Sequence, residues 1–121
     1  SHDTARHFSG EALAVARAAE TGDTAAIARL LGEGRLDPDT VFSRQSGLPL
    51  VAWPVATGNP KGLQALLEQG ADPNARRPER ETDRFHDGSR RERHRHDNAL
   101  VLAARADDPA YLRLLLEHGG D

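Results

Sequence analysis

GNPKGLQALLEQGADPN, residues 58–74, decides the fold. Asn59 carries a short side-chain oxygen where a helix N-cap accepts from a free first-turn N–H. Pro60 follows at the first helical position, where a missing N–H costs nothing. Leu63, Leu66 and Leu67 keep the i, i+3, i+4 spacing that gathers apolar residues on one helix face. Gly70 stands where the chain leaves a helix through a left-handed residue. The stretch predicts one short amphipathic helix over 60–69, entered and left by tight turns.

The same pattern occurs twice more, as TGDTAAIARLLGEGRLDPD from Thr21 and ADDPAYLRLLLEHGGD from Ala106. Asp23 and Asp108 take the cap position, with Pro109 again behind the cap. Ile27, Leu30 and Leu31, then Leu112, Leu115 and Leu116, repeat the apolar spacing, and Gly34 and Gly119 close the helices. A second apolar segment precedes each copy: EALAVARAAE (11–20), LPLVAWPVAT (48–57) and NALVLAARA (98–106). Ser9 is the expected cap of the first, with Phe8 and Leu13 as a hydrophobic staple. Pro54 falls inside the second, where it removes a backbone hydrogen bond and should kink the helix. Helices are expected over 10–20, 24–33, 49–57, 60–69, 98–105 and 109–118, with no sheet beyond short hairpin pairs. Leu66 and Leu115 should be buried between units, and Trp53 is expected to fill the space between adjacent units.

These units resemble ankyrin repeats, whose pattern runs roughly TPLHLAA, two variable residues, GH, an outer helix ending in LL, then GADPN. The second unit is the nearest match and the first is the weakest. The resemblance implies an all-α solenoid of three helix-turn-helix repeats, over about 9–40, 46–75 and 97–121, with an insertion at 76–96. Departures accompany it. Val51 and Val101 replace the family's His, and Asp107 stands where Gly22 and Gly58 mark the earlier turns. From Gly22 to Gly58 is 36 residues and from Gly58 to Asp107 is 49, against a family period of about 33. The surplus falls in the connection before the third unit, where ankyrin proteins carry a hairpin finger. A further Pro-Asn turn is expected after Asp121.

That connection, RRPERETDRFHDGSRRERHRHDN from Arg76 to Asn98, holds 8 Arg against 6 acidic residues, while the whole chain carries a net charge of −3. Such composition cannot bury enough apolar surface to order itself alone. The competing expectations are a solvated loop and an enlarged binding finger whose arginines take carboxylates or phosphates. Interleaved acids weigh against nucleic acid. His86, Asp87, His94, His96 and Asp97 are metal-ligand types without a fixed spacing, so no metal or other cofactor is expected. Ser89, His94 and Asp97 are triad types without a rigid frame, so no catalysis is expected.

The composition narrows the classes further. The chain has 121 residues and no Cys, which excludes a disulfide framework, a thiolate zinc site and a Cys nucleophile. It holds no Met, so the natural start is expected upstream of Ser1. Arg outnumbers Lys by 15 to 1, a bias that suggests a GC-rich bacterial genome, with periplasm and cytoplasm both open. No run of 18 apolar residues exists, so no transmembrane helix is expected.

By resemblance, the expected function is non-catalytic protein binding. One concrete version is an immunity or inhibitor protein that blocks a bacterial toxin enzyme such as a secreted phospholipase effector. The alternatives are a scaffold without inhibitory action and an Arg-loop nucleic-acid binder. The resemblance carries the variable inner-helix positions to Glu20, Thr21, Ala56, Thr57, Arg105 and Ala106. It carries the finger positions to Phe42, Arg44 and Gln45, then to Phe85, Arg90, Arg91, Arg93 and Arg95 in the long connection.

Overall fold

The computed structural model describes residues 3–78 and 97–121. Among these residues the chain is all-α: α1 Thr4–His7, α2 Gly10–Thr21, α3 Thr24–Gly32, α4 Trp53–Thr57, α5 Pro60–Glu68, α6 Ala99–Arg105 and α7 Ala110–Glu117. Single 3-10 turns lie at Pro38–Thr40 and Leu50–Ala52, and Phe42 and Pro49 form one isolated antiparallel bridge.

The expected capping chemistry is present. Asp23 Oδ1 accepts from Ala26 N at 3.1 Å, Asn59 Oδ1 from Gly62 N at 3.1 Å and Asn98 Oδ1 from Val101 N at 3.0 Å. Each such cap contributes about 1 kcal/mol. Asp108 Oδ1 accepts from Ala110 N at 2.9 Å, two residues on, so α7 begins one residue later than expected. Gly34, Gly70 and Gly119 adopt φ of 71°, 93° and 97°, the left-handed exit the sequence called for.

Two local expectations need correction. Ser9 precedes α2 but makes no side-chain cap hydrogen bond. Its neighbour Phe8 turns inward, 2% exposed, and meets Trp53 edge-on with ring centroids 5.2 Å apart. The expected helix over 49–57 is split. Pro54 has no N–H to give Leu50, so Leu50 O takes Trp53 N in a 3-10 turn, and α4 starts only at Trp53. Trp53 itself is buried, as expected, at 4% exposure.

The helices pair as α2 with α3, α4 with α5, and α6 with α7, and successive pairs touch through α2 and α4, α3 and α5, α4 and α6, and α5 and α7. Leu66 and Leu115, the expected inter-unit residues, are both fully buried. Gly62 brings the first turn of α5 against the last turn of α2: a Cβ there would lie 1.9 Å from Ala19 O. Asn59 adds a polar tie at the same join. Its Oδ1 caps α5 while its Nδ2 donates to Glu20 O at 3.2 Å.

A second tie repeats along the connections. Asp39 Oδ1 accepts from Asp72 N at 2.7 Å, and Asn74 Oδ1 accepts from Asp121 N at 2.9 Å. In both, the third residue of an Asp-Pro-Asp/Asn turn receives the N–H of the matching aspartate in the next pair. Burial, partly offset by the Asp72 N–H and reinforced by the Asp37 and Asp72 charges, raises the Asp39 carboxyl above the usual carboxylate range. The folded state therefore holds the Asp39 proton more tightly than the unfolded state. Its contribution is most favourable below the ordinary carboxylate pKa and is lost as pH rises through the raised value. Asn74 shows that an amide makes the same bond without the charge. We expect Asp39→Asn to raise the urea midpoint slightly at pH 7, within the ~0.5 kcal/mol usual for surface changes, and to leave it unchanged near pH 3. An equal gain at both pH values would show that the charge is not the cause.

Candidate functional site

The connection between α3 and α4 is a tight hairpin. Ser43 N donates to Leu48 O at 2.8 Å, Leu50 N donates to Val41 O at 3.0 Å, and Gly47 supplies φ 73° for the return. Ser43 is 1% exposed and organises the tip. Its Oγ accepts from Gln45 N at 3.2 Å and Ser46 N at 3.1 Å. The same Oγ lies 2.6 Å from His7 Nδ1, a hydrogen bond that ties the hairpin tip to α1.

Of the residues expected from the sequence, Arg44 and Gln45 are exposed on this hairpin and Phe42 is half-buried in its bridge to Pro49. Arg44 already has local work. Its N donates to His7 O at 3.0 Å and its Nη2 to Ala5 O at 2.7 Å, so it clamps α1 and leaves its remaining guanidinium donors for anything outside. Thr57 spends its hydroxyl on Trp53 O at 2.9 Å. Arg105 stands open on α6, 3.4 Å from Asp97 Oδ2. Phe85, Arg90, Arg91, Arg93 and Arg95 lie outside the described residues.

Glu20, Thr21, Ala56, Thr57, Arg105 and Ala106 all keep solvent-accessible side chains at the C-terminal ends of α2, α4 and α6 or just beyond. Because α2 touches α4 and α4 touches α6, these ends form one row. Thr4 reaches the start of that row and donates to Glu20 Oε1.

Trp53, the first residue of α4, anchors a cluster that the sequence did not reveal. The His7 and Trp53 rings are 4.7 Å apart, and Phe8 completes the group. Aromatic pairs of this kind add about 0.5–1.5 kcal/mol beyond their burial. Against this, Trp53 Nε1 is buried without a hydrogen-bond partner among the described residues, an arrangement that costs about 1–3 kcal/mol. No sequence spacing links residues 7 and 8 to residue 53; a lone aromatic just before a predicted helix was the one available signal.

No family model matches the chain. It is similar to a protein of Serratia liquefaciens named Protein PhlB. The two are 36% identical over 110 residues, which is 88% of this chain and 38% of that protein. The chain thus spans well under half the length of the curated relative it matches.

Chemically, the described ends of α2, α4 and α6 and the hairpin offer hydrogen-bond donors and mixed charge. Among the described residues no three His, Asp or Glu side chains stand where they could hold a metal ion. His86, Asp87, His94 and His96, raised as ligand types, lie outside them, as does Ser89 of the triad types. Among the described residues no helix is long and apolar enough to cross a membrane.

Proposed function

We propose that the chain is a solenoid of three ankyrin repeats that binds another protein and catalyses nothing. The observation that carries this reading is the repeated tie between connections. Asp39 and Asp72 are linked across 33 residues, the ankyrin period of about 33, and Asn74 and Asp121 repeat the bond across 47 residues with the long connection between them. A solenoid gives its binding residues to connections and to inner-helix ends, where side chains can vary without cost to the core. The exposed row at the ends of α2, α4 and α6, with Arg44 and Gln45 on the hairpin, suits that use.

The partner we propose is a bacterial toxin enzyme, such as a secreted phospholipase effector, that the chain blocks as an immunity or inhibitor protein. The test is to assay a purified secreted bacterial phospholipase with increasing amounts of the chain. Saturable inhibition is expected. Binding without inhibition would leave a scaffold, and no binding would remove the reading.

The arginines of the long connection give a second check. Replacing Arg90, Arg91, Arg93 and Arg95 together by Ala should weaken binding at least ~10-fold and flatten its dependence on salt, since charge pairs at an interface act strongly on association. The melting temperature should stay where it is. Deleting residues 78–95 should also leave the helical signal intact. Undiminished binding after the deletion would move the contact to the row on α2, α4 and α6.

A further inference from the structure

The two ends of the stack are built differently. Counting from the cap residue of each outer helix, the fourth and eighth positions are Ile27 and Leu31 in α3, and Leu63 and Leu67 in α5. All four are buried, at 0%, 8%, 0% and 4% exposure. Their counterparts in α7 are Leu112, half-buried, and Leu116, which is 51% exposed. With Ala103, Ala106 and Pro109 these leucines line an open apolar groove between α6 and α7, rimmed by Arg113 and Glu117.

At the opposite end the corresponding face carries charged side chains among its apolar ones. The sixth position after the cap is buried Ala65 in α5 and buried Leu114 in α7, but exposed Arg29 in α3. Arg17, Thr21 and Asp23 line the same surface, with Ala14, Ala18, Ala26 and half-buried Leu30 between them. The exposed Arg29 and Arg17 give that end charges of the kind a terminal face needs to stay in water. The α6–α7 end keeps the apolar pattern of an internal join.

We propose that the groove between α6 and α7 seats a further helix pair of this chain's own pattern, stacked in the same direction as the pairs before it. Its chemistry follows from the joins already present. The incoming outer helix carries apolar residues at the sixth and seventh positions after its cap, as Ala65 and Leu66 do, and packs them on Leu112 and Leu116. Its cap sits against the last turn of α6, as Asn59 sits on Glu20 O. A second copy of the chain is a poorer occupant, because the face it would offer in that orientation carries Arg17 and Arg29. The inference rests on burial and register and stands whether or not the chain binds a toxin enzyme.

The test joins a copy of residues 38–72 after Asp121, so that the pair that already stacks on α2 and α3 is offered to α6 and α7. The extended chain should melt at least ~5 °C higher and bind less of a dye that reports exposed apolar surface. Leu116→Glu should move the melting point of the unextended chain by less than ~2 °C, since half of that side chain faces water already. In the extended chain the same change should lower it by more than ~5 °C, as expected for a charge forced into a join. An extension that leaves the melting point and the Leu116→Glu response unchanged overturns the proposal. So does a dimer of the unextended chain, seen by light scattering and dissociated by Leu116→Glu, because the occupant would then be a second copy.

Discussion

Gly62→Ala is expected to unfold the chain or to cost it more than about 3 kcal/mol, beyond the usual range for an overfilled core. Helix propensity alone argues the reverse, because alanine in a helix is favoured over glycine by about 1 kcal/mol. The join decides the sign. A methyl at Gly62 would lie 1.9 Å from Ala19 O and 2.7 Å from the Ala19 carbonyl carbon. Both belong to the backbone of α2, so no side chain can rotate away. Relief requires α5 to move off α2, which would also break the Asn59 Nδ2 bond to Glu20 O. Urea titration followed by far-UV circular dichroism measures the loss directly. A variant as stable as the parent would mean that α2 and α5 are not in contact here.

The second large effect is Leu66→Ala, for which we expect a loss of about 2–5 kcal/mol through lost contacts and the cavity left behind. Leu66 is fully buried in α5, the helix that touches α2 and α3 on one side and α7 on the other. The side chain therefore supports the joins on which the third pair depends as well as the first. Total stabilities of small domains run about 5–15 kcal/mol, so the change removes a large share of the whole. Leu116→Glu, on the open face of α7, is the matched control. An unchanged melting point for Leu66→Ala would contradict the stacking register.

The sequence revealed the helices well because local signals agreed. Asp23 and Asn59 capped where their side chains predicted, and Gly34, Gly70 and Gly119 took left-handed exits where a short apolar run ended. The misses are long-range or very short. α1 is four residues, Thr4–His7, too few to show a period, and it is held by Arg44, 39 residues from Ala5. Nothing local marks Gly62 as a contact point; a glycine inside a strong helix pattern was the clue, and it became meaningful only once Ala19 was placed. The second role of Asn59 was hidden in the same way, since capping already accounted for it. Leu116 was read as one of three equivalent apolar faces. In the structure it is 51% exposed, while Ile27, Leu31, Leu63 and Leu67 are buried, a difference that no local pattern records.

Of the candidate site, the sequence marks positions and the structure adds their exposure and present bonds. The inner-helix ends and the hairpin were found as positions, and they do reach solvent, but the present hydrogen bonds of Arg44 and Thr57 follow from tertiary packing. Ser43 received no attention in sequence because a serine in a turn is ordinary. Burial and the His7 ring give it an organising role at the tip.

The central claim is that the three helix pairs form one stack that continues across the long connection. The chain offers one Trp and one Tyr as reporters, Trp53 in the second pair and Tyr111 in the third. Trp53 fluorescence and the 19F signal of a fluorotyrosine at position 111 can be followed through the same urea titration. One continuous stack predicts a single coincident midpoint for both probes, shifted equally by Leu66→Ala. Two separate midpoints, with Tyr111 unfolding on its own and indifferent to Leu66, would contradict it.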